Sequence, residues 1–479
     1  MNETSKNDKI EELPVFHPTG HLTPRAIGSL LIPSFLHHQK TPPKLHSTSW
    51  LDGARGIACM IVVTYHHSLV FHQRGLYGYG EIGLDYAMPG VPDFEKAENR
   101  YIMQLPFLRL LHAGSAMVSL FFVISGYALS FNLIGLLRKQ RWTTFLTKLT
   151  SSAFRRPIRL FGPVMISSFI KAALTFLGVY ELTREFRESP ALFNKPDFAP
   201  RLPLFQQLWD WFTKTPQFLD ILNYVNGQFP LYAQPTWTIP REVKYSFVLY
   251  IQILTLSRAK TATRISLLAA SSIWSIKSYY WETFCFTWGM ILAELDVIRQ
   301  ENVTDELTKS PQSSIRPSKG LGSQMRGLLF IISLYLLGFP ERHSERTPGY
   351  VFVTKINILA KDECRFWPSV GSVIFLWVVG TSPTLQKLFT NAFSQYLGRI
   401  SFAVYLVHVF ILDTAGLLLL QYAWSITGID TMVGHELGWC LSYLGLLPII
   451  ICVADVFWRL VDLKCLALSR WVENKFCEA

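Results

Sequence analysis

Charge is what this sequence has least of: 16% of its 479 residues are Asp, Glu, Lys or Arg, while 50% are hydrophobic. A soluble domain carries about 25% charged residues, so the shortage excludes an ordinary soluble fold. Cysteine pairing is missing too. The seven cysteines are an odd number without metal-type or paired spacing, and Cys59, Cys285, Cys440 and Cys452 fall in apolar segments. Cysteine acts there as a small hydrophobe, so neither a disulfide framework nor a zinc site is expected. There is no internal repeat, no inverted pattern of broken helices of the secondary-transporter kind, and no appended soluble catalytic domain. The first 49 residues are mostly polar and carry no charged-then-apolar leader pattern. Residues 26–36 are apolar but too short to span a membrane and are interrupted by Pro33, so they read as a surface helix or as part of a disordered tail.

What is abundant is aromatic and aliphatic: 14 Trp, 19 Tyr and 34 Phe. The net charge of +11 raises the question of nucleic acid, but the basic residues lie between apolar blocks rather than on an aromatic-laced basic surface. That is the positive-inside pattern of a membrane protein, and no nucleic-acid partner is expected. About ten blocks approach spanning length, near residues 51–71, 115–137, 157–179, 236–256, 263–281, 283–298, 326–340, 367–382, 400–424 and 437–461. The expected fold is an all-α, polytopic bundle of about ten transmembrane helices. Residues 1–49 form a polar tail, 50–465 the membrane domain and 466–479 a second tail.

Residues 138–159 contain Arg138, Lys139, Arg141, Lys148, Arg155, Arg156 and Arg159 and no acidic residue, which marks a cytoplasmic loop. Counting outward from it puts both termini in the cytoplasm and residues 180–235 and 341–365 outside. The Trp209/Trp211 run suggests a partly ordered lid or interfacial helix, and 299–325 reads as a flexible cytoplasmic loop.

Ionisable groups inside such blocks are costly and usually face a protein-lined cavity. Arg55 and His66 both lie in the first block. Eleven helical residues turn through roughly 1100° and rise ~16.5 Å, so the two share one face at different depths. Asp52 stands one turn before Arg55, placed to pair with it. The simpler alternative is a snorkelling Arg and a His bonded to a neighbouring helix. Glu242, just inside the fourth block after Pro240, reads equally as a group orienting a donor, as a base, or as an ion-pair partner of Arg241 or Lys244. Ser401, Tyr405 and His408 form a polar stripe on the ninth block; a helix–helix contact explains it, and a cavity role requires packing against the first helix. Ser125-Gly126 permits close helix approach. Without a Gly-x-Ser-x-Gly elbow, Ser125 is a weak nucleophile candidate. Asp455 reads as structural, pairing with Arg459 or a neighbouring helix. His67, rotated by ~100° from His66, is the weaker of the two histidines, and His112 reads as a boundary residue.

Five segments in order then resemble a known family. LDGARGIACMIVVTYHH carries an Arg-x10-His pattern at Arg55 and His66; SLFFVISGY, PTWTIPREVKYS, YLGRISFAVYLVH and ADVFWRLVD follow. Together they resemble acyltransferase family 3, the integral-membrane O-acyltransferases, in its stand-alone fungal form. Arg241 and Tyr245 depart from that pattern at positions that bear on the acceptor pocket. The resemblance implies about ten helices, no bound cofactor, and transfer of an acyl group, typically acetyl, from cytoplasmic acyl-CoA to a hydroxyl of a small natural product. A cell-wall or surface-glycan hydroxyl is the alternative acceptor, and a proton-coupled transporter the alternative class. It further implies His66 as general base, Arg55 as donor anchor or charge stabiliser, and Glu242, His408, Ser125, Trp237 and Tyr405 as binding or orienting residues.

Overall fold

A computed structural model of the protein describes residues 32–36, 45–70, 72–81, 100–189, 192, 198–222, 231–232, 234, 236–309, 322–356 and 362–477. Two compact units are distinguished, Met1–Pro42 and Pro43–Ala479. In the first, the described residues make one short 3-10 turn, Ser34–Leu36; the rest of the apolar 26–36 segment lies outside the described residues.

The second unit is helical, with no strand among the described residues. Its principal helices are α1 (Ser49–Leu69), α2 (Gly114–Arg138), α3 (Trp142–Phe176), α4 (Leu204–Lys214), α5 (Thr238–Thr255) and α6 (Thr261–Lys277). They continue as α7 (Trp281–Lys309), α8 (Ser323–Leu337), α9 (Glu363–Gly380), α10 (Pro383–Thr390), α11 (Ala392–Ile411), α12 (Leu417–Thr427), α13 (Met432–Phe457) and α14 (Leu463–Phe476). Each expected apolar block is helical. Four stretches are long and apolar enough to cross a membrane: α2, α3, Ala392–Thr427 and Met432–Phe476. Counted as one broken span, the pair α9 and α10, bent by 102°, brings the number among the described residues to five. Two charges of α6 and α7 are turned inward: Arg264 and Glu294 are buried against each other in a multiply hydrogen-bonded pair. Such inward placement is how a span tolerates charge.

The boundaries differ from expectation in instructive ways. The basic segment read as a loop over 138–159 is mostly helix, because α3 runs unbroken for 35 residues through Pro157 and Pro163. The 299–325 loop is helical as far as Lys309, and 310–321 lies outside the described residues. Ser382 caps α10 from its side chain and Pro383 occupies the first turn, so the sharp bend after α9 is built from local turn chemistry. The last two apolar stretches each contain a π-helical turn, Leu412–Gly416 and Trp458–Asp462, which lets one helix continue while its face rotates. The first π turn carries Asp413, buried 3.8 Å from Lys171 of α3. Within 180–235 the longest described helix is α4, whose Phe205, Leu208, Trp209 and Phe212 are exposed, an amphipathic pattern suited to an interface.

α1 is the shared wall of two apolar clusters. Trp50, Leu51, Ala54, Ala58 and Val62 pack with α2, α7 and α9, while Cys59 and Val63 pack with α11 and α13. Glycines set the spacing. A Cβ on Gly53 would fall 1.8 Å from the Phe389 carbonyl oxygen, and one on Gly56 2.5 Å from the Gly398 nitrogen. α2 meets α7 in the same manner, since a Cβ on Gly126 would lie 2.2 Å from the Phe286 carbonyl oxygen. Small residues are thus what bring these backbones together. The seven cysteines are free thiols, and Asp455 takes the structural role expected, 2.8 Å from Arg459 and 3.2 Å from the Tyr396 hydroxyl.

Candidate active site

A cavity of about 790 Å³ runs along α1 between α2, α3, α5 and α11. Asp52, Arg55, Val62, Tyr65, His66 and Leu69 all line it, one face of α1 over roughly 25 Å of helix. The shared face expected for Arg55 and His66 is therefore a cavity wall. Arg55 Nη2 donates to Asp52 Oδ1 at 3.2 Å, the local pair the spacing implies.

At the Arg55 end the wall is strongly basic. Arg156 and Arg159 from α3 and Arg399 from α11 join Arg55, and Asp52, Gln395 and Asp462 complete the rim. Arg156 is engaged: its Nη2 donates to Glu242 Oε1 at 2.8 Å and its Nε to Ser246 Oγ at 2.5 Å. Ser125 Oγ donates to the same Glu242 oxygen at 3.1 Å. Glu242 is thus held from α2 and α3 across the cavity wall. It does not pair with Arg241 or Lys244; Arg241 turns to Glu282 instead. Among the described residues neither Arg159 nor Arg399 has a carboxylate within salt-bridge distance. Two cavity-facing guanidiniums without a direct ion pair, with Asp462 on the same rim, suit an anionic ligand.

Three turns along α1 from Arg55, His66 lines the same cavity. Its ring lies 5.2 Å from that of His408, which sits behind it on α11. His408 is buried, and its Nδ1 is 3.0 Å from the Val404 carbonyl oxygen, so Nδ1–H donates and Nε2 keeps the lone pair. Nε2 has no hydrogen-bond partner among the described residues. The condition for a cavity role of the polar stripe is met, since α11 packs directly on α1. Ser401 and Tyr405 line the cavity, and the Tyr405 hydroxyl is 2.7 Å from Thr238 Oγ1. His408 stands behind His66, outside the lining itself. His67 points elsewhere: it is buried, stacked on Tyr443, with Nε2 3.3 Å from Ser442 Oγ. His112 is likewise a boundary residue, its Nε2 3.0 Å from the Met103 carbonyl oxygen.

The other end of the cavity is aromatic with two charges. Phe121, Phe122 and Trp237 face it together with Tyr65, Ser115, Glu341 and Arg365. Glu341 accepts from Tyr65 OH at 2.9 Å and from Ser115 Oγ at 2.8 Å. The Arg365 guanidinium lies over Trp237 at 5.6 Å and over Trp281 at 4.9 Å, and donates to the Ser115 carbonyl oxygen at 3.2 Å. Arg241 stacks on Trp237 too, at 5.3 Å, so its departure from the family pattern backs this wall.

Sequence reasoning missed Arg156, Arg159, Arg399, Glu341 and Arg365. The first two were read as loop charges that set topology, and Glu341 and Arg365 as the two ends of an outside loop. The available signal was the Arg-x-x-Arg spacing of Arg156 and Arg159, one helical turn.

The model of the Acyltransferase domain family matches residues 48–459. The O-acetyltransferase PaAT-1 of Phomopsis amygdali is 31% identical over 462 residues, covering 93% of this chain and 88% of that one. The acyltransferase clz18 of Cochliobolus lunatus is 23% identical, covering 89% and 95%, and an acyltransferase of a Phoma species matches with the same identity and coverage. No solved structure matches the chain. With the family model spanning most of its length, the chain belongs to acyltransferase family 3 and is an acyltransferase.

Proposed function

We propose that this protein is a multi-pass membrane O-acyltransferase of about ten spans, with both termini cytoplasmic. It moves an acyl group, acetyl in the typical case, from cytoplasmic acyl-CoA to a hydroxyl of a small natural product. The observation that carries the reading is one cavity that joins a guanidinium-rich end to an aromatic end and has His66 on its wall. The relative from Phomopsis amygdali is named an O-acetyltransferase, which favours acetyl.

A CoA ester has a polyanionic head and a thin pantetheine arm. The Arg55 end matches the head: Arg159 and Arg399 are placed for phosphate oxygens, and Arg55 and Arg156 add positive potential. The positive-inside pattern places that end in the cytoplasm, where CoA esters are available. The aromatic end, with Glu341 and Arg365 as polar handles, suits an amphipathic acceptor rather than a polymer chain.

In the reaction His66 takes the proton of the acceptor hydroxyl as its oxygen attacks the thioester carbonyl. The C–S bond then breaks, and the imidazolium of His66 returns the proton to the leaving thiolate. Histidine suits both halves because its ordinary pKa lies near neutrality. His408 positions the His66 ring and offers its lone pair to the imidazolium. Direct transfer is favoured because Ser125 is committed to Glu242 and is not activated as a nucleophile. Labelled acetyl-CoA supplied to membranes containing this protein, with extracted metabolites as acceptors, should give an O-acetylated product. Movement of an acceptor across vesicles without acetyl-CoA consumption would establish the transporter reading instead.

A further inference from the structure

Past Leu69 the chain makes one more turn, and the His72 amide donates to the Ser68 carbonyl oxygen at 2.7 Å. Across from it α13 starts after Thr431, whose hydroxyl accepts from the Gly434 amide at 3.1 Å. That cap sets the start of α13, with His435 closing its first turn and Glu436 opening the second, near His72. His72 Nε2 lies 3.7 Å from Glu436 Oε2, and His435 Nδ1 lies 3.8 Å from Glu436 Oε1. One ligand atom from each of the three side chains lies within 4.8 Å of the others.

We propose that His72, His435 and Glu436 form a site for a divalent transition-metal ion of the Zn²⁺ class. The donor set is two imidazoles and a carboxylate. Metal–ligand bonds of about 2.0–2.1 Å in a tetrahedral site put neighbouring ligand atoms about 3.3 Å apart. The separations to Glu436, 3.7 and 3.8 Å, exceed that by about half an ångström, a gap left for the partly exposed Glu436 side chain to close. Two nitrogens with one oxygen favour zinc, cobalt or nickel over calcium and magnesium, which take oxygen ligands. The imidazoles are also packed in place. The His435 ring lies 4.8 Å from Trp424 and 5.2 Å from His72, and His72 in turn meets Trp439 edge-on at 5.9 Å. Trp424 Nε1 donates to the His435 carbonyl oxygen at 3.1 Å, which fixes the backbone under the ligand. A tetrahedral ion here would take water as its fourth ligand.

Such an ion ties the end of α1 to α12 and α13, one to two turns beyond His66. It therefore acts on the fold and on the placement of α1 rather than on the acyl group, and it is independent of the acyl-transfer reading. The cluster joins residues far apart in the chain, which is why cysteine spacing alone gave the expectation of no zinc site.

The test uses the purified full-length protein in detergent. Metal content is measured after dialysis against trace ZnCl2. Melting is followed with ZnCl2, CaCl2 or a chelator, and the absorption spectrum is recorded with CoCl2. The expected result is one zinc per chain, a melting temperature raised by zinc but not calcium, and the visible bands of tetrahedral cobalt. His72→Gln, His435→Gln and Glu436→Gln should each weaken zinc binding at least tenfold while melting like the parent protein in chelator. Zinc retained at one equivalent in the His72→Gln/His435→Gln double variant, substoichiometric zinc in the parent, or an equal response to calcium overturns the proposal. If the histidine variants fail to fold, Glu436→Gln decides, since its side chain is partly exposed and its fold is retained.

Discussion

The imidazole rings of His66 on α1 and His408 on α11 lie 5.2 Å apart, one facing the cavity and the other buried behind it. Because His408 donates its Nδ1–H to the Val404 carbonyl oxygen, the ring is fixed in one tautomer and one orientation. In the proposed mechanism the front ring handles the proton and the rear ring holds the front ring in position.

Replacing His66 by Ala should lower acyl transfer by about 10²–10⁴-fold, the usual worth of a general base. His408→Ala should cost less, on the order of 10-fold, and act mainly on kcat. Initial rates with labelled acetyl-CoA in membranes of matched expression check both. Near-normal turnover of His66→Ala removes it from the mechanism.

Arg159→Gln and Arg399→Gln each remove a cavity-facing charge that has no carboxylate partner among the described residues. A charge-assisted contact is worth about 1.5–3 kcal/mol, so KM for acetyl-CoA should rise roughly 10–100-fold with kcat less affected. Saturation curves at two salt concentrations test this, because the parent protein should lose donor affinity with salt more steeply than either variant. An unchanged KM in both variants contradicts a CoA head group at this end.

Glu242 accepts from Ser125 and pairs with Arg156 across three helices. Glu242→Gln should leave the Arg156 guanidinium without its counter-charge and lower stability by about 3 kcal/mol. Pairing it with Arg156→Gln should recover part of that loss, with a coupling of about 1–3 kcal/mol in a double-mutant cycle. Thermal denaturation in detergent reads both effects, and strictly additive losses would show that the pair is not coupled.

Gly126→Ala should destabilise the protein by about 1–3 kcal/mol, because its new methyl group meets the Phe286 backbone rather than a movable side chain. Gly135→Ala, with nothing within 4 Å of a Cβ, is the matched control on the same helix and should be neutral or slightly stabilising. Melting temperatures of the two variants separate close approach from a general effect of helical glycine.

Much of this protein is local information. Apolar blocks recur along the chain, and each one is helical, because a backbone in lipid must satisfy its own hydrogen bonds. The helical repeat alone put Arg55 and His66 on one face, and both line one cavity. The Arg55–Asp52 and Asp455–Arg459 pairs were legible for the same reason, since partners one turn apart meet by geometry. What lay beyond the sequence is every relation between segments. The partners of Glu242 come from α2 and α3 rather than from its neighbours Arg241 and Lys244, because the side chain turns into the bundle. Arg156 and Arg159 belong to a helix that continues past two prolines, so they are cavity residues as well as topology signals. Glu341 and Arg365, which bracket an expected loop, meet at the aromatic end of the cavity through Ser115. His66 finds His408, and His72 finds His435 and Glu436, only because glycines let α1 and α11 touch and a capped turn aims the start of α13. Periodicity tells which way a side chain points on its own helix; what it meets there is decided by packing.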